Sequence, residues 1–253
     1  MNVVKQRFAL LVVSLFAGAL GMAQLGTSNF SGSNVDLDAR GGNPTLDFIF
    51  QQFRNQKPKD NGLKIEGSAY FNEDFKKASI YSQDGLEGSL YVRYDGYSDE
   101  IQIKEHPSQE KIQALLPRKD IHCVLNGTKL SYNDFGDKKG NYVEGYLFTM
   151  VEADDIILFE RRRKLFKEGK KPKTSFELEV PNRFVDDKEL YIAKPNGDKL
   201  EITYLKPSKK EVIKLFEDNP EKAAKVKKFV SDKGLKVKSV EDVTQIFIYY
   251  NTL

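Results

Sequence analysis

Turn dipeptides between short apolar runs constrain the fold of this chain more than any other feature of its sequence. Asn126-Gly127 separates two such runs, Ile121 to Leu125 and Lys129 to Tyr132. Asn-Gly readily adopts the positive φ angles of a two-residue hairpin turn, so these runs are predicted to pair as antiparallel strands. Similar turns recur at residues 83–85, 95–96, 152–155 and 195–198. Residues 63–206 are therefore predicted to form an antiparallel β-meander, either as a sheet or as a half-barrel.

The sequence pattern changes after residue 206. Ser208 and Glu211 have the spacing of a capping box at a helix N-terminus. Asn219-Pro220 ends that helix and begins a second one, because proline suits the first turn. A third helix is predicted to begin at Ser239. Residues 207–253 are thus expected to form a cap of about three short helices packed on the sheet, which makes the fold class α+β.

Residues 1–23 have the features of a secretory signal peptide. Lys5 and Arg7 precede the uncharged, largely apolar run from Phe8 to Leu20, and cleavage is predicted after Ala23. The apolar run is shorter than the ~20 residues that a transmembrane helix needs. No cysteine lies near the cleavage site, so a lipid-modified N-terminus is not predicted. The mature chain is also expected to have no transmembrane span, because it has no second long apolar stretch.

Residues 24–62 are predicted to form a flexible leader. The stretch 24–46 is rich in Ser, Gly and Asn and has little apolar surface to bury on folding. Asp47 to Gln56 carries apolar residues at the spacing of a short amphipathic helix, which we expect within the leader.

Charge and cysteine content exclude further classes of protein. The formal net charge of the whole chain is +3, and loss of Lys5 and Arg7 with the signal peptide brings it close to zero. A polycation built for nucleic acid is therefore not expected. Cys123 is the only cysteine, so an intramolecular disulfide is impossible and the fold must depend on its core.

Two parts of the chain resemble a known group of sequences. Gly67 to Phe75, with the following Asp84-Gly85 turn and Leu90 to Asp95, resembles the start of a family of uncharacterised exported proteins from Gram-negative bacteria of the Bacteroidetes group. The run from Lys209 to Asn251 is similar to that family too. The resemblance implies a location in the periplasm or facing the outer membrane, and it brings no catalytic residues with it. Because the chain ends in a helical pattern and not in a β-sandwich secretion domain, we expect retention in the periplasm, with outer-membrane association left open.

Nucleophilic catalysis is not favoured by the arrangement of histidine and cysteine. His122 and Cys123 are neighbours in a strand-like run, and neighbouring side chains on a strand point to opposite faces. They cannot form a catalytic dyad, and Cys123 is interpreted as a small buried apolar residue. A Gly-x-Ser-x-Gly elbow is absent, so a serine hydrolase of that type is not predicted.

Carboxylates in two loops leave a calcium site as an alternative to ordinary turn chemistry. Asp95, Asp99 and Glu100 lie together in one loop, and Asp134 and Asp137 lie in another. Neither loop has the spacing of an EF-hand, and acidic turn residues usually accept hydrogen bonds from backbone amides. No metal site and no cofactor is predicted.

A run of basic residues is the candidate binding site. It is predicted at a strand end and hairpin tip, between strands at Ile156–Phe159 and Thr174–Val180. One interpretation is a contact for an anionic partner, and the other is a solvated loop that prevents aggregation at a sheet edge. Its residues are Arg161, Arg162, Arg163, Lys164, Lys167, Lys170 and Lys171.

These observations lead to one main hypothesis and two alternatives for the function. The main hypothesis is a non-catalytic periplasmic protein that binds another envelope component, either a protein or an anionic glycan or lipid. One alternative is a carrier of an apolar ligand or lipid in a half-barrel groove, based on the 17 Phe and 12 Tyr residues. The other alternative is a hydrolase of unrecognised type.

Overall fold

The structure of the protein is a computed structural model that describes residues 49–253 except for 55, 154, 197 and 198. The predicted signal peptide, residues 1–23, and most of the leader, up to residue 48, lie outside the described residues. The described residues form twelve strands and three helices. The strands are β1 Phe50–Gln52, β2 Ile65–Glu66, β3 Lys76–Ser82, β4 Gly85–Asp95, β5 Glu100–Lys104, β6 Gln113–Leu115, β7 His122–Leu125, β8 Thr128–Gly136, β9 Tyr142–Glu152, β10 Ile157–Lys167, β11 Asn182–Asn196 and β12 Lys199–Leu205. The helices are α1 Lys209–Lys214, α2 Pro220–Asp232 and α3 Val240–Tyr250.

The strands form one continuous, largely antiparallel sheet in the order β1-β6-β5-β4-β3-β7-β8-β12-β11-β10-β9. Only the β2–β11 and β8–β12 pairings among the described strands are parallel. The predicted α+β class, with a meander and a C-terminal helical cap, is confirmed. Because β8 also pairs with β9, strands β8 to β12 close into a ring of five strands.

The Asn126-Gly127 turn has the predicted geometry. Asn126 has φ 51° and Gly127 has φ 78°, as a tight hairpin turn between β7 and β8 requires. The hairpin registers Leu125 opposite Thr128 and Cys123 opposite Leu130. Local turn chemistry therefore sets this strand pairing.

The interior of the five-strand ring is filled with side chains. A buried cluster takes at least one residue from each of the five strands, and an edge-to-face pair of aromatic rings with centroids 4.7 Å apart lies within it. Close packing of this kind fills the space between the five strands with apolar side chains. The cluster contains Phe135, Leu147, Phe159, Tyr191, Ala193 and Ile202.

Strand β9 contributes to two cores at once. Leu147 belongs to the cluster inside the ring, whereas its neighbours Tyr146 and Phe148 pack in the core formed with strands β3 to β7. Adjacent residues on a strand point to opposite faces, so one strand joins the ring to the rest of the sheet.

The three helices begin at the predicted caps. The side chains of Ser208, Asn219 and Ser239 each accept a hydrogen bond from a backbone N–H three residues ahead, at 3.4, 3.1 and 3.1 Å. Helix α3 packs against β9, β10 and β11, α2 packs on α3 and α1 packs on α2. Residues of the three helices and of these strands share a third buried cluster that includes Leu158 and Phe247, both 0% exposed. None of the helices in the described chain is long and apolar enough to cross a membrane.

The prediction of a short helix within residues 47–56 is wrong for the residues of this range that the structure describes. Phe50–Gln52 forms strand β1, which pairs with β6 and places Phe50 opposite Leu115. Ile49 is fully buried in the core of the first half of the sheet. Strand β6, which is distant in sequence, supplies the hydrogen bonds of β1, and local periodicity does not reveal such a partner. The β-structure therefore begins before residue 63, the predicted start.

Candidate functional site

Four residues of the basic run lie inside a strand and not at a hairpin tip. Arg161 to Lys164 are in the middle of β10, and β11 runs antiparallel beside them. The predicted position at a strand end is therefore wrong for these four residues. The register of β11 places an acidic stretch against them, with Asp186 opposite Lys164 and Asp187 opposite Arg163.

Two of these cations pair with carboxylates of β11. Arg163 donates a hydrogen bond to Asp187, and its Nη2 atom lies 3.4 Å from Glu189 Oε2. Lys164 Nζ lies 2.7 Å from Asp186 Oδ1. The contacts of Arg163 are partly buried and the contact of Lys164 with Asp186 is exposed, and all of them compensate charge within the molecule.

The other two cations of β10 are also occupied. Arg162 Nε donates to Glu160 Oε2 at 2.8 Å, and its guanidinium lies 4.2 Å from the centre of the Phe148 ring. Arg161 Nη2 lies 3.8 Å from Asp99 Oδ2. The positive charges of residues 161–164 are therefore largely compensated by contacts within the fold. Little uncompensated charge is available there to an anionic partner.

Glu189 is the most buried of the β11 carboxylates in these pairs. Burial alone would raise its pKa, but the hydrogen bond from Lys138, the 2.9 Å hydrogen bond from the Tyr191 hydroxyl and the charge of Arg163 act more strongly in the opposite direction. The net effect is a pKa below the ordinary value for glutamate. Glu189 is therefore ionised in the folded protein at neutral pH, as its role as partner of Arg163 requires.

The remaining three basic residues are exposed and lie at the connection between β10 and β11. Lys167 ends β10, while Lys170 and Lys171 are in the connection, residues 168–181, which we call the tongue. Two backbone hydrogen bonds of 2.8 and 3.0 Å between Lys170 and Val180 close its base. Gly169 is required there, because an added Cβ would overlap the carbonyl oxygen of Val180.

The strand predicted at Thr174–Val180 does not form. Within this stretch only Val180 takes part in a β-bridge, and a turn closed by Glu177 N–H on the Thr174 carbonyl at 3.2 Å occupies the tip. Phe176 is 97% exposed and Leu178 is 89% exposed, more than any other large apolar side chain described. The exposure of these two residues could not be read from the sequence, because their alternation with polar residues is also the pattern of a half-buried strand.

Of the acidic residues predicted to lie in two loops, Glu100 and Asp134 instead lie in strands β5 and β8, whereas Asp95 and Asp137 show the chemistry of turns. Asp95 Oδ1 accepts hydrogen bonds from the backbone N–H groups of Tyr97 and Ser98, at 2.9 and 3.0 Å. Asp137 Oδ1 likewise accepts from Lys139 and Asn141, both at 2.8 Å. In the part of the chain that the structure describes, no group of three or more His, Cys, Asp and Glu side chains is arranged to hold a metal ion.

His122 and Cys123 point away from each other, as their positions on a strand predict. Cys123 is fully buried in the core, and burial raises the pKa of its thiol to about 12. His122 stacks on Tyr81 with ring centroids 5.1 Å apart, and partial burial lowers its pKa. The two side chains cannot act as a nucleophile and its base.

Comparison of the chain with protein-family models, with curated proteins and with solved structures finds no match in any of the three. The resemblance to exported proteins of Bacteroidetes-type bacteria therefore stays a prediction.

Proposed function

We propose that this protein is a non-catalytic binding protein of the cell envelope and that the tongue docks on a protein partner. The observation that carries the proposal is the exposure of Phe176 and Leu178 at its tip. Covering a large apolar side chain contributes about 1.5–3 kcal/mol, so two such residues supply a substantial part of the free energy of a specific contact.

The backbone of the tongue is also available to a partner. Among the described residues, the only backbone–backbone hydrogen bond made by residues 171–179 is the one from Glu177 to Thr174. Phe176, Leu178 and Val180 alternate with polar residues, as the side chains of an added strand do. This combination suits a partner that offers a sheet edge with apolar pockets beside it.

The charges of the tongue favour a protein over an anionic membrane. Exposed lysines at 170, 171 and 173 would be attracted to anionic lipid headgroups. Glu177 and Glu179, however, flank the exposed apolar side chains and would be repelled by the same headgroups. A protein surface carries charges of both signs and can match the two sets.

The clefts that we find give no support to the lipid-carrier alternative. One has a volume of about 370 Å³ and another of about 250 Å³. An apolar ligand would have to desolvate the charged side chains of either lining, which is unfavourable. Those side chains are Arg54, Asp99, Glu100 and Glu144 in the first cleft, and Asp74, Lys76, Arg93 and Arg162 in the second.

Photo-crosslinking in the native host cell tests the proposal. A photoreactive phenylalanine analogue is placed at Phe176, and as a matched control at Leu86, which is 62% exposed on β4. We expect an adduct of discrete mass from position 176 and none from position 86. The double variant F176S/L178S should lose the partner on co-purification, whereas L86S should keep it.

Two results would contradict the proposal. One is an identical set of adducts from positions 176 and 86, which would mean that exposure alone decides the labelling. The other is flotation of the purified protein with vesicles of anionic phospholipid that is lost in F176S/L178S, which would make the bilayer the partner of the tongue.

A further inference from the structure

The peptide bond between Lys173 and Thr174 lies in the exposed part of the tongue. Every residue from 171 to 180 is exposed. Neither the Lys173 carbonyl oxygen nor the Thr174 N–H makes a backbone–backbone hydrogen bond among the described residues. The turn beside this bond has two hydrogen bonds, from Lys173 N–H to Glu177 Oε2 at 2.7 Å and from Glu177 N–H to the Thr174 carbonyl at 3.2 Å. Water can replace both at the surface, so the turn opens at little cost.

A segment of this kind is what an endopeptidase requires of its substrate. The enzyme holds several residues on each side of the scissile bond in extended conformation, by main-chain hydrogen bonds like those of an added strand. Exposed loop tips are for this reason the usual places of proteolytic cleavage. Residues 171–179 of the tongue can become extended without breaking any pair of the β10–β11 ladder, which ends at Lys167 and Arg183.

Of the lysines at 170, 171 and 173, only the last precedes a bond that is free of local constraints. Lys170 is held at the base of the tongue by two hydrogen bonds with Val180. Lys171 precedes Pro172, whose ring restricts the preceding residue and whose nitrogen has no hydrogen to donate to a protease. Lys173 precedes Thr174 and has neither constraint. We propose that the tongue is a processing site, at which an endopeptidase that selects lysine hydrolyses the bond between Lys173 and Thr174.

The reaction is the hydrolysis of one amide bond. A carboxylate in the specificity pocket of the protease would pair with the Lys173 ammonium, as in proteases that cleave after basic residues. The bond from the Lys173 carbonyl carbon to the Thr174 nitrogen breaks, and the oxygen of water adds to that carbon. Both protons of the water pass to the nitrogen. The products are a carboxylate at Lys173 and an ammonium group at Thr174.

The two chains made by this cut stay together, because the fold joins them on both sides of the tongue. Strand β10 of the first chain pairs with β11 of the second over the whole of Ile157–Lys167. Asn61 and Asn182 exchange side-chain hydrogen bonds of 3.0 and 2.7 Å between the two chains. Leu158 and Phe247, one from each chain, share a buried cluster. Cleavage therefore turns residues 174–180 into a free chain end and leaves the folded body intact.

The turn between β8 and β9 supplies an internal control, because it also exposes two neighbouring lysines, Lys138 and Lys139. Asp137 Oδ1 accepts hydrogen bonds from the N–H groups of Lys139 and Asn141, and two backbone hydrogen bonds of 2.9 Å close the turn. The β8–β9 ladder begins directly behind it. An extended substrate conformation here would break the turn and part of the ladder, so the bond between Lys139 and Gly140 should resist cleavage.

Limited digestion of the purified full-length protein with a lysine-specific endoproteinase tests the accessibility of the bond. Mass spectrometry of successive time points gives the rate at each lysine. We expect cleavage after Lys173 to be at least about tenfold faster than after Lys139, the scale of one further hydrogen bond broken. The two chains should elute together from gel filtration in native buffer and separate in guanidinium. Equal rates at the two lysines, or separation of the chains in native buffer, would overturn the proposal.

Three variants make the test specific to this bond. Lys173→Gln should abolish the cut and leave the melting temperature unchanged, because the side chain is exposed. Lys139→Gln should leave the cut as it is. Pro172→Ala should add a second cut, after Lys171, because the constraint of the proline ring is gone. A cut in the tongue of Lys173→Gln at the original rate, or no new cut in Pro172→Ala, would contradict the choice of bond.

Protein recovered from the native host cell tests whether the processing takes place there. We expect a peptide that begins with a free amino group at Thr174, and its loss in Lys173→Gln. A chain that is intact between residues 173 and 174 in the cell would overturn the proposal, whatever the result with the purified protein. The double variant F176S/L178S, which removes the docking residues, should be cut at the same bond. Processing and docking can therefore fail separately.

Discussion

Replacement of Arg163 by glutamine tests whether the basic residues of β10 stabilise the fold. The substitution removes the guanidinium that contacts Asp187 and Glu189 on β11. Lys171→Gln is the matched control, because it removes the same charge from the same basic run. Lys171 is exposed in the tongue and makes no ion pair among the described residues.

The expected cost follows from the burial of the three side chains. Arg163 is 28% exposed, Asp187 is 22% exposed and Glu189 is 8% exposed. Exposed ion pairs contribute about 0–1 kcal/mol, and removing one partner of a buried pair costs about 3–5 kcal/mol. Glu189 keeps its contacts with Lys138 and Tyr191 in the variant. We therefore expect Arg163→Gln to lower the free energy of unfolding by about 1.5–2 kcal/mol, and Lys171→Gln by less than about 0.5 kcal/mol.

Urea unfolding followed by circular dichroism measures both values at pH 7 and at pH 3.5. The folded-state pKa of Glu189 lies below its ordinary value, so its stabilising contribution is present at neutral pH and is lost as the pH falls through the folded pKa. The cost of Arg163→Gln should therefore shrink at the lower pH. Equal costs for the two substitutions at pH 7, or a cost that does not depend on pH, would refute the reasoning.

Three further predictions concern single residues. The native protein should resist alkylation of Cys123 by iodoacetamide at pH 8, because the thiol is buried with a pKa of about 12, and should react promptly in guanidinium; equal rates in both states would contradict this. Gly145→Ala should destabilise the fold by about 1–3 kcal/mol, because the new Cβ would lie 2.5 Å from Asp99 Oδ2. Gly136→Ala, whose Cβ would meet only one atom at 4.0 Å, should cost less in the same thermal unfolding assay, and the reverse order would be inconsistent with the packing. Ser239→Ala should cost about 1 kcal/mol by loss of the N-cap of α3, whereas an unchanged melting temperature would show that the cap contributes nothing.

The features that could be predicted from the sequence are those whose conformation depends on only a few neighbouring residues. Asn126-Gly127 specifies its own turn, and Ser208 and Ser239 cap their own helices. The meander and the helical cap follow from such signals repeated along the chain. Strand β1 could not be predicted in this way, because Phe50 pairs with Leu115 on an edge far away in sequence.

The candidate site was harder to predict, because charge in a sequence does not show what neutralises it. Arg163 and Lys164 form a conspicuous basic run, yet the β10–β11 register places carboxylates directly opposite them. The exposure of Phe176 had no sequence signal of its own, since the same alternation occurs in buried strands. Glu100 was considered with Asp95 and Asp99 as a calcium ligand in a loop, whereas the structure places it at the start of β5, buried and opposite Asp95.

Closure of the five-strand ring has a consequence for how the protein must be made. The parallel contact of Thr203 with Gly136 joins the last strand to the first strand of the ring. Until Lys199–Leu205 has been synthesised and released, β8 and β11 each keep an open edge that can pair with another chain. Contacts between residues so distant in sequence also form slowly. Biogenesis therefore includes an interval of exposure to aggregation that ends only when the final strand is in place, and a holding chaperone would be most useful during that interval.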